Sequence, residues 1–334
     1  MALRLVEPLR IAAVDAGSNA IRLIVARAYG AGRWETVETL RLPVRLGHHA
    51  FSGGRLNQRT LAEAVAGFRE FQLHMERSGV VAYRAVATSA AREARNRERL
   101  LDLVRRRAGL ELEIISGDEE ARLVRVAVAR AFAGHATPRV ILDFGGGSLE
   151  INWMRGAEVE RVATLPLGAV RLMEAYRAAG AIPEERAAEL VRHVEHVLAS
   201  ALGDRRPRAV RLLVACGGNA EFLARVAAGA AHNGFPALSL HVLRARLWQI
   251  LHLDADERKR TFHVRRDRAE VMGVAALVLL TVGRWLRARS FVIPGVGVRE
   301  GLLTEITQTM FAPRGPLTAR EAPSGRARRP ARSR

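Results

Sequence analysis

Lysine is almost absent from this chain. Lys259 is the only one, so nearly all of the 53 basic residues are arginine. Cysteine is equally scarce. Cys216 stands alone after the apolar run Leu212-Leu213-Val214-Ala215, which excludes a disulfide within the chain and fits a reducing compartment. No apolar run reaches the roughly 20 residues that a bilayer span needs. The longest runs from Val274 to Val282. No signal-peptide pattern opens the sequence, and the expected location is cytoplasmic. Missing motifs exclude further chemistries. There is no Gly-x-x-x-x-Gly-Lys-Ser/Thr loop for a P-loop nucleotidase and no serine nucleophile elbow. Phe222 stands where a cysteine phosphatase built on Cys216 would need arginine. Gly295-Val296-Gly297-Val298-Arg299-Glu300 fails as a dinucleotide fingerprint, because Glu300 replaces its last glycine.

What is present suits a globular protein of two domains: 334 residues, 49% hydrophobic and 26% charged. The formal net charge of +19 should attract polyanions, whether nucleic acid, anionic lipid or polyphosphate, and charge alone does not choose among them. Beyond Pro313 the chain turns to proline, glycine and arginine without apolar periodicity, and residues 312–334 read as a disordered basic tail.

One figure occurs twice. Ile11-Ala12-Ala13-Val14-Asp15 is an apolar run ending in a carboxylate; Ala16-Gly17-Ser18-Asn19 turns, and Ile21-Arg22-Leu23-Ile24-Val25 leaves as a second strand. Val140-Ile141-Leu142-Asp143, Gly145-Gly146-Gly147-Ser148 and Leu149-Glu150-Ile151 repeat it. Asp15 and Asp143 are 128 residues apart, as are Gly17 and Gly145, and Arg22 and Glu150. Two such hairpins in register point to duplicated half-molecules. Each half offers outward N–H groups for an anion and a carboxylate suited to a hard cation such as Mg²⁺. A third glycine turn, Cys216-Gly217-Gly218-Asn219, follows the strand Val210–Ala215 and precedes a helix, a further potential anion contact.

Between these turns strands alternate with helices, the pattern of α/β layers. Gly47–Gly54 reads as a solvated loop holding His48 and His49. Asn57 caps a helix with Leu61, Val65, Phe68 and Met75 on one face, and Ser116 opens another. His193 and His196 read as part of a polar helix face. The stretch from Val126 to Pro138 reads as a crossing with a hinge. The expected division is 8–126 and 127–311, with the last helix free to pack back on the first domain.

Phosphoryl transfer needs charge neutralisation, alignment and a positioned nucleophile. The glycine turns with Arg22 or Arg92 supply the first two, and Glu119 or Glu120 can direct and deprotonate water. The competing reading of that glutamate pair is charge complementing a helix dipole.

Five blocks resemble the exopolyphosphatase / guanosine pentaphosphate phosphatase (Ppx/GppA) family. They are Asp15-Ala16-Gly17-Ser18-Asn19, Ala87-Thr88-Ser89-Ala90-Ala91-Arg92-Glu93-Ala94, Ile115-Ser116-Gly117-Asp118-Glu119-Glu120-Ala121-Arg122, Asp143-Phe144-Gly145-Gly146-Gly147-Ser148-Leu149-Glu150, and Pro294-Gly295-Val296-Gly297-Val298-Arg299-Glu300-Gly301. Leu167–Leu172 and Arg266–Val271 add support, and the resemblance spans about residues 8 to 311. It implies an α/β chain of two ribonuclease-H-like domains, of the actin-like ATPase / sugar kinase / chaperone superfamily, around an interdomain cleft. By the resemblance Glu120 is the catalytic base. Asp143 and Glu150 match acids that position metal and water, and Gly17, Ser18, Asn19, Arg92, Gly145, Gly146, Gly147 and Ser148 match phosphate-loop positions. Ala20, Leu149 and Asn219 depart from the usual pattern, and each puts a hydroxyl group out of play.

The expected protein is therefore an exopolyphosphatase that releases orthophosphate from inorganic polyphosphate. Its close alternative is a guanosine pentaphosphate 5′-phosphohydrolase, and a non-catalytic polyanion-binding protein is the alternative of another class. Mg²⁺ or Mn²⁺ is expected at Asp15, Asp143 and Glu150. Glu120, Asp143, Glu150 and Arg92 form the expected catalytic set, with Arg22, Gly217, Gly218 and Asn219 joining the phosphate-loop residues on the substrate. Neither membrane nor nucleic acid is an expected partner, and a homodimer is left open.

Overall fold

The computed structural model describes residues 8–203 and 212–312. The expected tail from residue 313 lies outside the described residues. Among the described residues, twelve strands form two sheets. The first holds β1 (Leu9–Ala16), β2 (Ile21–Gly30), β3 (Arg33–Leu42), β4 (Val80–Ala87) and β5 (Leu112–Ile114), in the order β3-β2-β1-β4-β5. The second holds β6 (Val140–Phe144), β7 (Leu149–Arg155), β8 (Glu158–Leu165), β9 (Leu213–Cys216), β10 (Ala228–His232), β11 (Phe235–Ser239) and β12 (Ser290–Val292). Its order is β10-β11-β12-β9-β6-β7-β8.

The two sheets share one plan. β1 pairs antiparallel with β2 and parallel with β4; β6 pairs antiparallel with β7 and parallel with β9. The 128-residue spacing survives into register, for Asp15 faces Arg22 across one hairpin and Asp143 faces Glu150 across the other. The second sheet extends the plan at its far edge with β10 and β11. This is the α/β architecture of two ribonuclease-H-like units that the repeat and the resemblance led us to expect.

Period-two alternation explains how each sheet serves two cores. Ala12, Val14 and Ala16 of β1 face a core shared with Phe68, Phe71 and Leu100, whereas Ile11 and Ala13 face the opposite side. That opposite core also takes Ile141 and Val214 from the second sheet. Between them lie Leu123, Val124 and Val128 of the helix Gly117–Ala131 and Leu302 and Leu303 of the helix Val298–Met310. These two helices therefore fill the space between the sheets. The last helix packs on β1 to β4; Trp34 donates from Nε1 to Thr304 Oγ1 at 3.1 Å, and the Gly32 N–H donates to Thr307 Oγ1 at 3.1 Å.

Helix starts follow their capping residues. Asn57 accepts from the Thr60 N–H at 2.7 Å at the head of Gln58–Arg77, and Ser116 accepts from the Glu119 N–H at 3.1 Å. Two readings change. Residues 126–131 continue the helix Gly117–Ala131, because Val124, Ala127 and Val128 share one buried face. The boundary drawn at 126/127 thus falls inside a helix, and the crossing begins only at Phe132. Gly47–Gly53 is a short helix rather than a loop; it packs against the helix Ala169–Ala175 of the second unit, with Phe51 against that unit's core and Ala50 in the core of the first. No described helix is long and apolar enough to cross a membrane.

Candidate active site

Strand ends meet at the mouth between the two units. The turns after β1, β6 and β9 converge with the start of the helix Arg266–Trp285. All eleven residues expected to bind substrate line one cavity there: Gly17, Ser18, Asn19, Arg22, Gly145, Gly146, Gly147, Ser148, Gly217, Gly218 and Asn219. Glu120, Thr88, Ser89, Phe144 and Arg268 complete its wall. It encloses about 80 Å³, room for a terminal phosphate group. The backbone N–H groups of Ser18, Asn19, Gly146 and Gly147 have no backbone acceptor among the described residues, which leaves two facing nests for phosphate oxygens.

Close approach decides two of the glycines. A Cβ at Gly147 would stand 2.2 Å from Ser89 Oγ of the other unit. At Gly218 it would stand 2.1 Å from a terminal nitrogen of Arg268 and 2.8 Å from one of Arg22. Glycine at 218 thus lets two guanidinium groups from different units converge on one face of the cavity. Asn219 serves that arrangement more than it faces the cavity. Its Nδ2 donates to the carbonyls of Phe144 at 3.1 Å and Gly145 at 2.8 Å, while its Oδ1 accepts from Arg268 Nη1 at 3.0 Å. Asn19 donates to Asp267 Oδ2 at 3.1 Å, tying the first turn to the head of the long helix.

Behind the cavity lie the acids. Glu120, Asp143 and Glu150 are 6%, 6% and 0% exposed, and each offers an oxygen within 4.8 Å of the other two. Three carboxylates out of water repel one another and are poorly solvated, so all three hold their protons more tightly. Burial first, then the Asp143 charge, raises Glu120 to about 8, with Arg92 opposing the rise. Burial and the Asp15 charge raise Asp143 to about 7. Glu150 is pushed well above the carboxylate range by burial, then by Glu120 and Asp143. Among the described residues neither Glu150 oxygen has a well-formed hydrogen bond, and only the Ser148 hydroxyl and the Arg92 charge work against the rise.

That donor set fits a hard divalent cation: oxygen ligands only, excess negative charge, and a buried carboxylate with nothing to accept from. Of the expected metal residues, Asp143 and Glu150 lie together with Glu120 as the third carboxylate of the cluster, and Asp15 stands beside them. Asp15 raises the proton affinity of Glu120 and Asp143 through its charge, and its own is raised by burial against the pull of Arg22 and Arg299.

Arg92 does not reach the cavity wall. It donates to the Ile115 carbonyl at 2.7 Å and lies 3.4 Å from Glu120 Oε2, so it steadies the glutamate. Arg268 occupies the wall instead and is 6% exposed. Burial, then the charges of Arg22 and Arg41, lower its proton affinity, although a guanidinium remains charged at neutral pH. In the sequence Arg268 sits within the quoted block Arg266–Val271, but nothing in that block distinguishes it from its neighbours Arg265 and Arg266.

Ion pairs hold the two units together around the mouth. Arg45 pairs with Glu270 at 2.8 Å, Arg41 with Asp267, and Arg171 with Glu93. The Arg171 guanidinium also lies 4.2 Å over the Phe51 ring. His48 pairs with Glu174 across the same gap, which gives the short helix Gly47–Gly53 its place.

Comparison with known proteins finds relatives along most of the chain. A family model described as the Ppx/GppA phosphatase family matches residues 24–310. Exopolyphosphatase 1 of Mycobacterium leprae is 31% identical over 303 residues, covering 88% of both chains. Among solved structures, a Ppx/GppA family member of Aquifex aeolicus superposes with a TM-score of 0.73 at 25% identity, over 90% of this chain and 98% of that one. An exopolyphosphatase from Cytophaga hutchinsonii shares the fold, with a TM-score of 0.79 at 21% identity over 90% and 98% of the two chains.

Proposed function

This chain belongs to the Ppx/GppA phosphatase family, and from that premise we propose that it hydrolyses the terminal phosphoanhydride bond of inorganic polyphosphate. The observation that carries the reading is the buried Glu120, which stands on the wall of a cavity lined by two facing phosphate nests. A curated relative at 31% identity is named an exopolyphosphatase, and a net charge of +19 suits a polyanionic substrate.

In this reading the terminal phosphate enters the cavity and accepts from the free N–H groups of Ser18, Asn19, Gly146 and Gly147. Arg22 and Arg268 neutralise the oxygens on the side that Gly218 leaves open. Such preorganised donors stabilise charge as it shifts toward the leaving phosphate. Glu120 orients a water in line with the scissile bond and takes its proton. Its raised proton affinity suits a base working near neutrality, and Arg92 holds the carboxylate in place. Mg²⁺ or Mn²⁺ held by Asp143 and Glu150 would offset phosphate charge and polarise the bond under attack, leaving Glu120 to the water.

Orthophosphate release from polyphosphate and from guanosine pentaphosphate, measured side by side, tests the proposal. Faster release from polyphosphate is expected. Faster release from guanosine pentaphosphate would transfer the activity to that nucleotide. Tight polyphosphate binding without release would make the protein a polyanion-binding module.

A further inference from the structure

The second unit carries another recess, far from the cleft. It lies between the start of the helix Leu240–His252, the end of the helix Arg266–Trp285 and the edge strands β10 and β11, and encloses about 660 Å³. Arg268, on the cleft wall, and Arg284, on this recess, are separated by the length of one helix, about 24 Å at 1.5 Å per residue.

Two features of the recess stand together. Its floor is small and apolar, made by buried Leu240 and half-buried Leu280 and Ala288, with the exposed Ala230 at the edge. Its rim is cationic, made by Arg244, Arg284, Arg287 and Arg289, and none of the described lining residues is acidic. Arg284 has Glu195 as a partner at 2.6 Å; Arg244, Arg287 and Arg289 have no carboxylate partner among the described residues. His241 adds a fifth basic group. The first turn of the helix Leu240–His252 also lacks an acid that would repel an anion.

A ligand for such a place needs an apolar body and several negative charges. Inorganic polyphosphate satisfies the rim and leaves the floor wet, and a lipid tail satisfies the floor with too few charges for four guanidinium groups. We propose that this recess binds a nucleoside oligophosphate, its base on the Leu240–Leu280 floor and its phosphates on the arginine rim. The recess, at about 660 Å³, is far roomier than the cleft cavity of about 80 Å³. The inference does not depend on the reaction proposed for the cleft.

Isothermal titration of the full chain with ATP, without divalent cations, tests it. Three comparisons are needed: the Arg244→Ala/Arg289→Ala double variant, Arg268→Ala in the cleft, and inorganic tripolyphosphate in place of ATP. Both recess arginines are exposed, so an unchanged thermal unfolding midpoint of the double variant is expected and certifies its fold. Should that midpoint fall, Arg244→Gln/Arg289→Gln replaces it, keeping the side-chain stems and removing the charges. ATP binding is expected, weakened at least about tenfold by the double variant and left within about threefold by Arg268→Ala. Tripolyphosphate is expected to bind the recess at least about tenfold more weakly than ATP, for want of contact with the floor. No ATP binding would overturn the proposal. So would binding lost in Arg268→Ala and kept in the double variant, which would place ATP in the cleft. Equal affinity of the recess for ATP and tripolyphosphate, both titrated into Arg268→Ala and compared by the binding that Arg244→Ala/Arg289→Ala removes, would also overturn it, since the floor would then recognise nothing.

Discussion

Glu119 and Glu120 are consecutive in one helix and point into opposite surroundings. Glu119 accepts from Arg122 Nε at 2.7 Å and Nη2 at 2.8 Å, and meets Arg84, which also pairs with Glu305 at 3.0 Å. Those arginines, Arg122 first, hold its carboxyl below the usual carboxylate range. Glu120 turns inward to Arg92, Asp143 and Glu150. One residue of helix is about 100° of rotation, enough to put one carboxylate on a structural clamp and the next on the cavity.

Substituting the pair separates the two roles. Glu120→Gln should lower turnover by about 10²–10⁴-fold, the usual worth of a general base, while polyphosphate binding holds or tightens because a negative charge has left the site. Glu119→Gln should leave turnover within about twofold and shift stability by no more than about 1 kcal/mol, as expected of a partly exposed ion pair. Steady-state kinetics and equilibrium binding check this, and equal losses from the two variants would assign both glutamates to the helix terminus.

Cation dependence follows from the three buried acids. Activity should vanish in excess chelator and return with Mg²⁺ or Mn²⁺. Because burial and mutual repulsion raise the proton affinity of Glu120, Asp143 and Glu150 in the cation-free protein, cation binding should release protons. Calorimetry at pH 7 in two buffers of different ionisation enthalpy measures that release. An enthalpy independent of buffer would contradict the site.

The same groups set a trend with pH. Their carboxyls bind protons more tightly folded than unfolded, so the folded state carries the extra protons and stability falls as pH rises. For Glu120 the window runs from its ordinary 4.5 to about 8, and for Asp143 from 3.8 to about 7. The thermal midpoint of the cation-free protein should therefore drop across this range, less so in Glu150→Gln, and Mg²⁺ should reduce the drop. A midpoint that rises over the same interval would show that the acids are not buried together.

Gly218 is the cheapest probe of the arginine pair. Gly218→Ala places a methyl against Arg22 and Arg268, so KM for polyphosphate should rise by about tenfold, and Arg268→Ala should do at least as much. Unchanged KM in both variants would remove the pair from substrate binding.

Arg258 tests the scaffold. It is fully buried and donates from Nε to the Ile250 carbonyl at 2.7 Å, from Nη2 to that of Gly180 at 2.8 Å and from Nη1 to that of Ala269 at 3.2 Å. Ala269 lies in the first turn of the helix that carries Arg268. Arg258→Met leaves those carbonyls without a donor and should cost on the order of 3 kcal/mol, read as a lower denaturant midpoint. A change below about 0.5 kcal/mol would mean that water replaces the guanidinium.

Local chemistry accounts for what was legible from the chain alone. Asp-x-Gly turns, a Ser116 or Asn57 cap and strand alternation are each written in a few neighbouring residues, so the duplicated hairpins, the two units and the eleven cavity residues could be read directly. Elements with weak local signals could not. Ala228–His232 is a strand of small, mostly exposed residues without alternation, held by its pairing to β11, and Gly47–Gly53 is helical only against its neighbour in the other unit.

Tertiary structure decided which charged groups meet. Arg92, Arg22 and Arg268 look alike in sequence, yet one braces Glu120 while two share the opening beside Gly218. Glu120, from a helix of the first unit, meets Asp143 and Glu150 of the second for the same reason. A side chain's type and its position in a turn or helix are properties of the chain. The distance between a helix of one unit and a strand of the other depends on how the cores pack, and only that distance turns three acids into one site.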